Sequence, residues 1–363
     1  MVDFIRYPDS GPGSNFRRMN HETWEHKTDA AIAWLRKSFA ATGEQGSAHS
    51  WHPLLGWAKA YPETTGYLIE TLLAYAAVKQ DDSLKKLALD SATWLDGIQL
   101  PSGAFPGLLA GHTIPSVFNT SQILFAAPQL SAPEKAIAWL LSVLESDGSW
   151  QQYAFVPGFV PTYYTRAVWG VLKANKTVQN PAVEPLMRQA LHFYAARFLP
   201  NGAVKDWGFH PGKAAFTHTI AYTLEGFWEA AAHLKEPGIL DKTIHAVRRL
   251  LKERELAGRT AGRYGDNWQG DYSFVCVTGN CQLSLLCHKI WKRTGEPQFL
   301  EGAIAFLVEV MECQSTGANK NSFGAFPGSV PRWGAYLPFR YPNWSVKFFL
   351  DAMLELKDTI CAK

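Results

Sequence analysis

Long hydrophobic runs are missing from this sequence. No apolar stretch reaches the ~18 residues a membrane span requires, and the opening MVDFIRYPDSGPGSNFRRMN has charges and turn residues where a signal peptide carries its apolar centre. A cytoplasmic protein without a membrane span is expected. Charge of one sign is also scarce: the formal net charge is +3 over 363 residues, and no Lys/Arg run exceeds two or three. That excludes the basic footprint of a nucleic-acid binder. Cysteine is sparse, and the five present (Cys276, Cys281, Cys287, Cys313 and Cys361) are an odd set crowded toward the C-terminal half. They read as reduced thiols rather than a secreted disulfide framework. The string CQLSLLCHKI does not repeat a zinc spacing, so no metal is expected. No glycine-rich loop matches a P-loop or dinucleotide fingerprint, so no cofactor is expected either. Alternating apolar/polar strand patterns are missing as well.

Aromatic residues are abundant: 14 Trp, 13 Tyr and 21 Phe. That is more than core packing needs, and such a surplus often lines clefts that stack sugar rings or apolar ligands. Helical periodicity runs in pairs along the chain. First members, at about 21–41, 83–99, 131–145, 184–198, 239–255 and 299–313, carry polar stripes. Second members, at about 61–78, 116–126, 162–174, 216–233, 277–292 and 341–356, are apolar nearly all round and must be buried. Short links such as KQDDS and HLKEPG follow each second helix, whereas long Gly-, Pro- and aromatic-rich loops precede it. One hairpin every roughly 50–60 residues signals a repeat fold. Six hairpins suffice to close a ring, an all-α (α/α)6 toroid spanning 21–358 as a single domain behind an irregular segment 1–20. The outer helix comes first in each pair, and every long loop lies on one rim. An open α-solenoid that binds proteins is the non-enzymatic alternative.

The repeat shows in the letters. WLDGIQLPSGAF, WLLSVLESDGSW and FYAARFLPNGAV share an apolar residue, a large residue four later and a Gly four after that. The spacing ends a helix, turns on Gly and folds an aromatic back. Leu95, Gln99, Gly103 and Phe105 resemble the repeat of the terpene cyclase and prenyltransferase toroid superfamily, although Leu144 and Phe198 replace the Gln elsewhere. YPETTGYLIETLL, FTHTIAYTLEGFWEAA, CVTGNCQLSLL and YPNWSVKFFLDAML are similar to toroid proteins found in bacterial polysaccharide-biosynthesis loci. That resemblance implies the toroid and a polysaccharide context.

Six inner helices starting on one rim direct the positive ends of their dipoles and their unpaired N–H groups at a central cleft, which favours anions. Arg166, Arg332 and Arg340 would add full charges, so the expected partner is an acidic oligosaccharide or polysaccharide precursor. Candidate cleft walls are Tyr61, Asn119, Tyr163, Arg166, Trp268, Asn280, Arg332, Tyr341, Asn343 and Trp344, with helix capping as the competing role of the asparagines. His218 and Tyr222, four apart on one helix face, suit proton transfer at a uronic acid ring, the chemistry of a lyase or epimerase. In residue type they are similar to the Asn, His, Tyr and Arg sets of toroid polysaccharide lyases. Glycoside hydrolysis needs two carboxyls across the bond; Glu63 and Asp271 are the candidates, ahead of Asp147, Asp206 and Asp266. A terpenoid cyclase reading lacks the Asp-x-Asp-Asp acid of class II cyclases. A glycan-binding toroid without catalysis is the remaining alternative.

Overall fold

The computed structural model describes residues 21–361; the expected irregular segment 1–20 lies outside the described residues. Six hairpins are present. The outer helices are α1 (His21–Ala40), α3 (Asp82–Ile98), α5 (Pro133–Ser142), α7 (Val183–Ala195), α9 (Pro237–Ala257) and α11 (Pro297–Glu312). The inner helices are α2 (Pro62–Lys79), α4 (Val117–Ile123), α6 (Thr165–Val178), α8 (Thr217–Leu234), α10 (Val277–Thr294) and α12 (Asn343–Glu355), and a short α13 (Lys357–Ile360) follows. Each inner helix packs on the next, and α12 packs on α2, so the ring is closed rather than an open solenoid.

Closure is built from specific bonds between the two ends of the chain. Trp24 Nε1 donates to Met353 O at 2.9 Å, Tyr75 OH to Leu350 O at 2.9 Å, and Thr71 Oγ1 to Asp351 Oδ1 at 2.6 Å. On the rim, β1 (Ser50–His52) pairs with β2 (Gly56–Trp57) and, antiparallel, with the strand Tyr341–Pro342 before α12.

The second inner segment differs from its expected span of 116–126. It is α-helical only to Ile123 and continues as a 3-10 helix, Leu124–Gln129. Pro128 lacks an N–H and cannot sustain α-helical bonding there. Short strands of two or three residues decorate the rim, too brief to show any alternation in the letters.

The repeat glycines shape the turn after three of the outer helices, α3, α5 and α7, in the same way. Gly103, Gly148 and Gly202 take φ of 91°, 90° and 85°, a left-handed conformation suited to Gly. A Cβ on Gly103 would sit 2.4 Å from the Lys135 carbonyl oxygen of the next outer helix. The aromatics two residues on, Phe105 and Trp150, are fully buried, and Trp150 Nε1 folds back to Leu140 O at 2.9 Å.

The barrel axis is filled rather than hollow. Under the rim, Tyr67, Tyr222 and Phe348 surround the Arg166 guanidinium, whose central carbon is 4.5 Å from the Tyr222 ring centre. Arg166 pairs with Glu225 and bonds Gln122 Oε1 at 2.7 Å. Further along run the pairs Lys347–Asp351, Lys289–Glu229 (2.5 Å) and Lys173–Glu70 (2.7 Å). Arg166, Glu225 and Lys347 are buried, and buried charges persist only when paired like this.

Candidate active site

The long loops and the N-terminal ends of the inner helices enclose one cavity of about 700 Å³, within the range typical of small-molecule sites. Its walls are largely aromatic. Phe118, Tyr163, Phe209, Phe216, Tyr336 and Trp344 all face it, and Tyr67 and Tyr222 form its floor above Arg166. Tyr336 comes from the long loop before α12, where Ser329 Oγ donates to its carbonyl at 2.7 Å and Trp344 Nε1 donates to its OH at 2.8 Å.

Glu63 is the one carboxyl group on the cavity wall among the described residues. It sits in the first turn of α2 and is 7% exposed. Tyr61 OH donates to its Oε2 at 2.5 Å. The Asn119 amide satisfies its surroundings with Nδ2 directed at Ser116 Oγ and Glu63 Oε2, each at 3.3 Å, and Oδ1 accepting from Leu108 N at 3.2 Å. Burial pushes the Glu63 carboxyl up to about 7, while the Tyr61 hydrogen bond and the Arg166 charge restrain the rise. Burial also raises the Tyr222, Tyr163 and Tyr336 phenols, with the nearby Glu63 charge adding to each.

His218 lies opposite in chemical character. Burial lowers it to about 3, so it is neutral at physiological pH, and the Arg166 charge adds to the depression. Its Nδ1 is 2.7 Å from Gln282 Oε1. An amide oxygen can only accept, so Nδ1 carries the proton and Nε2 keeps its lone pair. The imidazole lies 4.2 Å, centre to centre, from the Tyr222 ring. A second neutral histidine, His49, is lowered to about 4 by burial and by Arg340. Arg340, which donates to Ser50 Oγ at 3.2 Å, is the single Lys or Arg on the cavity wall, and no carboxylate lies within 4.0 Å of it among the described residues. No group of three His, Cys, Asp or Glu among the described residues is placed to hold a metal ion.

No family model matches the chain, and no curated protein matches it in sequence. Solved structures do match in shape. The chain is similar to an unsaturated glucuronyl hydrolase specific for heparin, with a TM-score of 0.74 at 12% identity, covering 93% of this chain and 98% of that one. It is also similar to the cellobiose 2-epimerase of Spirochaeta thermophila, with a TM-score of 0.66, 11% identity and coverage of 93% and 98%. A D-mannose isomerase gives 0.70 at 12% identity, covering 95% and 100%. The fold is the (α/α)6 toroid.

Among the sequence candidates, the structure gathers Tyr61, Glu63, Asn119, Tyr163, His218, Tyr222, Arg340 and Trp344 around the cavity. The others lie elsewhere, each for a physical reason. Arg166 is one layer too deep, beneath Tyr222 and committed to Glu225. Asn280 turns outward and donates to Glu309 Oε2 of α11 at 3.1 Å, whereas Gln282, two residues on, reaches His218. Asn343 spends its amide on ring closure, donating to Ser47 Oγ, Ala48 O and Thr64 Oγ1 at 2.8–3.0 Å. Tyr341 is buried on Trp51, and Trp268 is buried against Trp207 with Nε1 on Asn201 O at 3.0 Å. Arg332 is exposed outside the cavity.

Asp271 is tied up in a turn, accepting from Ser273 N at 3.0 Å and pairing with Arg263 at 2.9 Å. The acids Asp147, Asp206 and Asp266 do not line the cavity. The hydrolytic pair Glu63 and Asp271 is therefore not assembled. Sequence reasoning passed over His49, Tyr67, Phe118, Phe209, Phe216 and Tyr336. The only signal for Tyr67 and Phe118 was their place within two turns of an inner-helix start, and the loop residues carry no periodicity at all.

Proposed function

We propose that the chain is a carbohydrate-active enzyme that abstracts and returns a proton at a carbon of an acidic sugar, as an epimerase or lyase does. The observation that carries this is a lone carboxyl group, Glu63, held near neutrality in an aromatic cavity beside a neutral histidine. A group titrating near 7 can both take and give a proton at working pH, whereas a glycosidase of the paired-carboxyl type would need a second acid on the wall. In this reading the Glu63 carboxylate takes the hydrogen α to a uronate carboxyl, at C5. The electron pair passes into that carboxyl group, whose charge Arg340 balances. The intermediate is reprotonated at C5, with Tyr222 as donor on the other face, or expels its C4 substituent. His218 accepts a sugar hydroxyl through Nε2; with its basicity so lowered, it is less suited than Glu63 to be the base.

The three fold neighbours, a glucuronyl hydrolase, a cellobiose 2-epimerase and a D-mannose isomerase, support a sugar substrate, as does the resemblance to toroids of polysaccharide loci. A prenyl-cyclising activity would need an Asp-x-Asp-Asp acid, and Glu63 alone does not supply one. The free thiols of all five cysteines suit a reducing compartment and support a cytoplasmic placement. No helix of the described residues is long and apolar enough to cross a membrane.

The test is turnover of uronic-acid oligosaccharides in deuterated water. Proton abstraction puts solvent deuterium on the sugar of an epimerised product, or releases an unsaturated ring. Glu63→Gln is expected to lower kcat by ~10² to 10⁴, Tyr222→Phe less, and Asp271→Asn not at all. Cleavage to saturated sugars with no exchange, or Glu63→Gln at full rate, would overturn the reading.

A further inference from the structure

The described residues have twelve large apolar side chains exposed to solvent, and eight of them ring the cavity mouth: Leu54, Leu55, Leu108, Ile114, Tyr153, Phe155, Trp333 and Phe339. Leu54 is 90% exposed, Leu55 71%, Ile114 70% and Trp333 65%. Scattered exposed leucines need no explanation, but a contiguous set does.

The loops that carry them are in contact with one another. His52, whose Nδ1 accepts from Leu54 N and Leu55 N, lies 6.5 Å from the Phe339 ring, and Phe339 N donates to Arg332 O at 2.7 Å beside Trp333. Ala110 N bonds Ala60 O at 2.8 Å, Val117 N bonds Tyr153 O at 3.3 Å, and Phe155 lies 6.3 Å from Phe209. All lie on loops that run into inner-helix N-termini, and so at one end of the barrel.

The four segments that carry these eight side chains, 52–59, 106–116, 151–160 and 331–340, contain Lys59, Arg332 and Arg340 and no Asp or Glu, whereas the rim loop before α10 holds Asp266 and Asp271 beside Arg259 and Arg263. We infer that this part of the rim docks onto the surface of a bilayer carrying anionic lipids, with Leu54, Leu55 and Trp333 entering the headgroup boundary and the exposed Lys59 and Arg332 facing lipid phosphates. Apolar tips combined with Lys and Arg are what interfacial binding uses. Leu54, Leu55 and Ile114 offer no flat ring for a sugar to stack on, which sets this collar apart from the aromatic cavity beneath it. The inference does not depend on the catalytic reading.

The experiment is co-sedimentation of the full chain with phosphatidylcholine vesicles, alone or with phosphatidylglycerol. Binding is expected to rise at least tenfold with the anionic lipid and to fall as NaCl goes from 0.1 to 0.5 M. L54D/L55D and, separately, W333S are each expected to lose at least tenfold in vesicle affinity. Both leave the melting temperature unchanged, because these side chains touch solvent. Three results would overturn the inference: no sedimentation with either vesicle, variants that bind as wild type, or a wild-type dimer in solution that L54D/L55D dissolves, which would make the collar a contact between copies. An enzymatically silent protein that still binds anionic vesicles would sink the proposed catalysis and leave this inference standing.

Discussion

Glu63 places the cavity's chemistry and its stability in opposition. A carboxyl whose folded-state pKa is raised from 4.5 to about 7 favours folding when it holds its proton. That contribution is complete below the unfolded value and is lost as pH rises through about 7. Ionising the buried group by pH 8 costs on the order of 3 kcal/mol. Glu63→Gln is therefore expected to be more stable than wild type at pH 8 and to lose that advantage at pH 5, as read from melting temperatures across that window. Parallel curves for the two proteins would show that the carboxyl is not held near neutrality. His218 works in the other sense, because its folded value, about 3, lies below the ordinary 6.5. It favours the folded state above 6.5 and withdraws that support as pH falls toward 3. His218→Gln is accordingly expected to flatten the acid limb of the stability curve while leaving the alkaline limb to Glu63.

Helix-to-helix spacing in the inner ring depends on small residues at matching levels. A Cβ on Gly66 would lie 2.5 Å from Ile123 Cα, one on Gly226 2.5 Å from Arg166 N, and one on Gly279 2.7 Å from His218 N. These are backbone neighbours that cannot swing away, so Gly226→Ala is expected to destabilise by roughly 1–3 kcal/mol, visible as a lower midpoint in urea. The same change at Gly97, with nothing within 4 Å, should be neutral or slightly stabilising. At this scale the sequence was most legible. Inner helices are apolar all round because they are buried all round, and outer ones carry stripes, so the hairpins and their order could be read directly. The same all-round apolarity conceals which side of an inner helix faces the axis and at what depth. That is why Asn280 and Arg166 were expected at the cleft. Arg340 reaches the cavity as expected, but His49 and Tyr336 arrive on loops whose paths are set by strand pairs of two or three residues and by the Ser329–Tyr336 turn, features with no signature in the letters.

For the whole molecule, closure depends on joining residues nearly three hundred positions apart, and Asn343 is the most connected of these joints. Replacing it with Ala leaves Ser47, Ala48 and Thr64 without its three bonds in a buried site, an expected loss of roughly 2–4 kcal/mol. Activity should fall only in proportion to the folded fraction, which separates a closure role from substrate contact; a full melting temperature with lost turnover would reverse that assignment. The axial packing of Arg166, Glu225 and the lysine pairs below them has a different consequence. Because the axis is plugged, the cavity is a well with one door rather than a tunnel. If the chain acts on a polysaccharide as proposed, the polymer cannot thread through, and product must back out by the way substrate came in. The enzyme would then sense chain ends and not chain length: a polymer capped at its termini should go untouched, while shortening the same mass of polymer should raise the rate in proportion to the number of ends created.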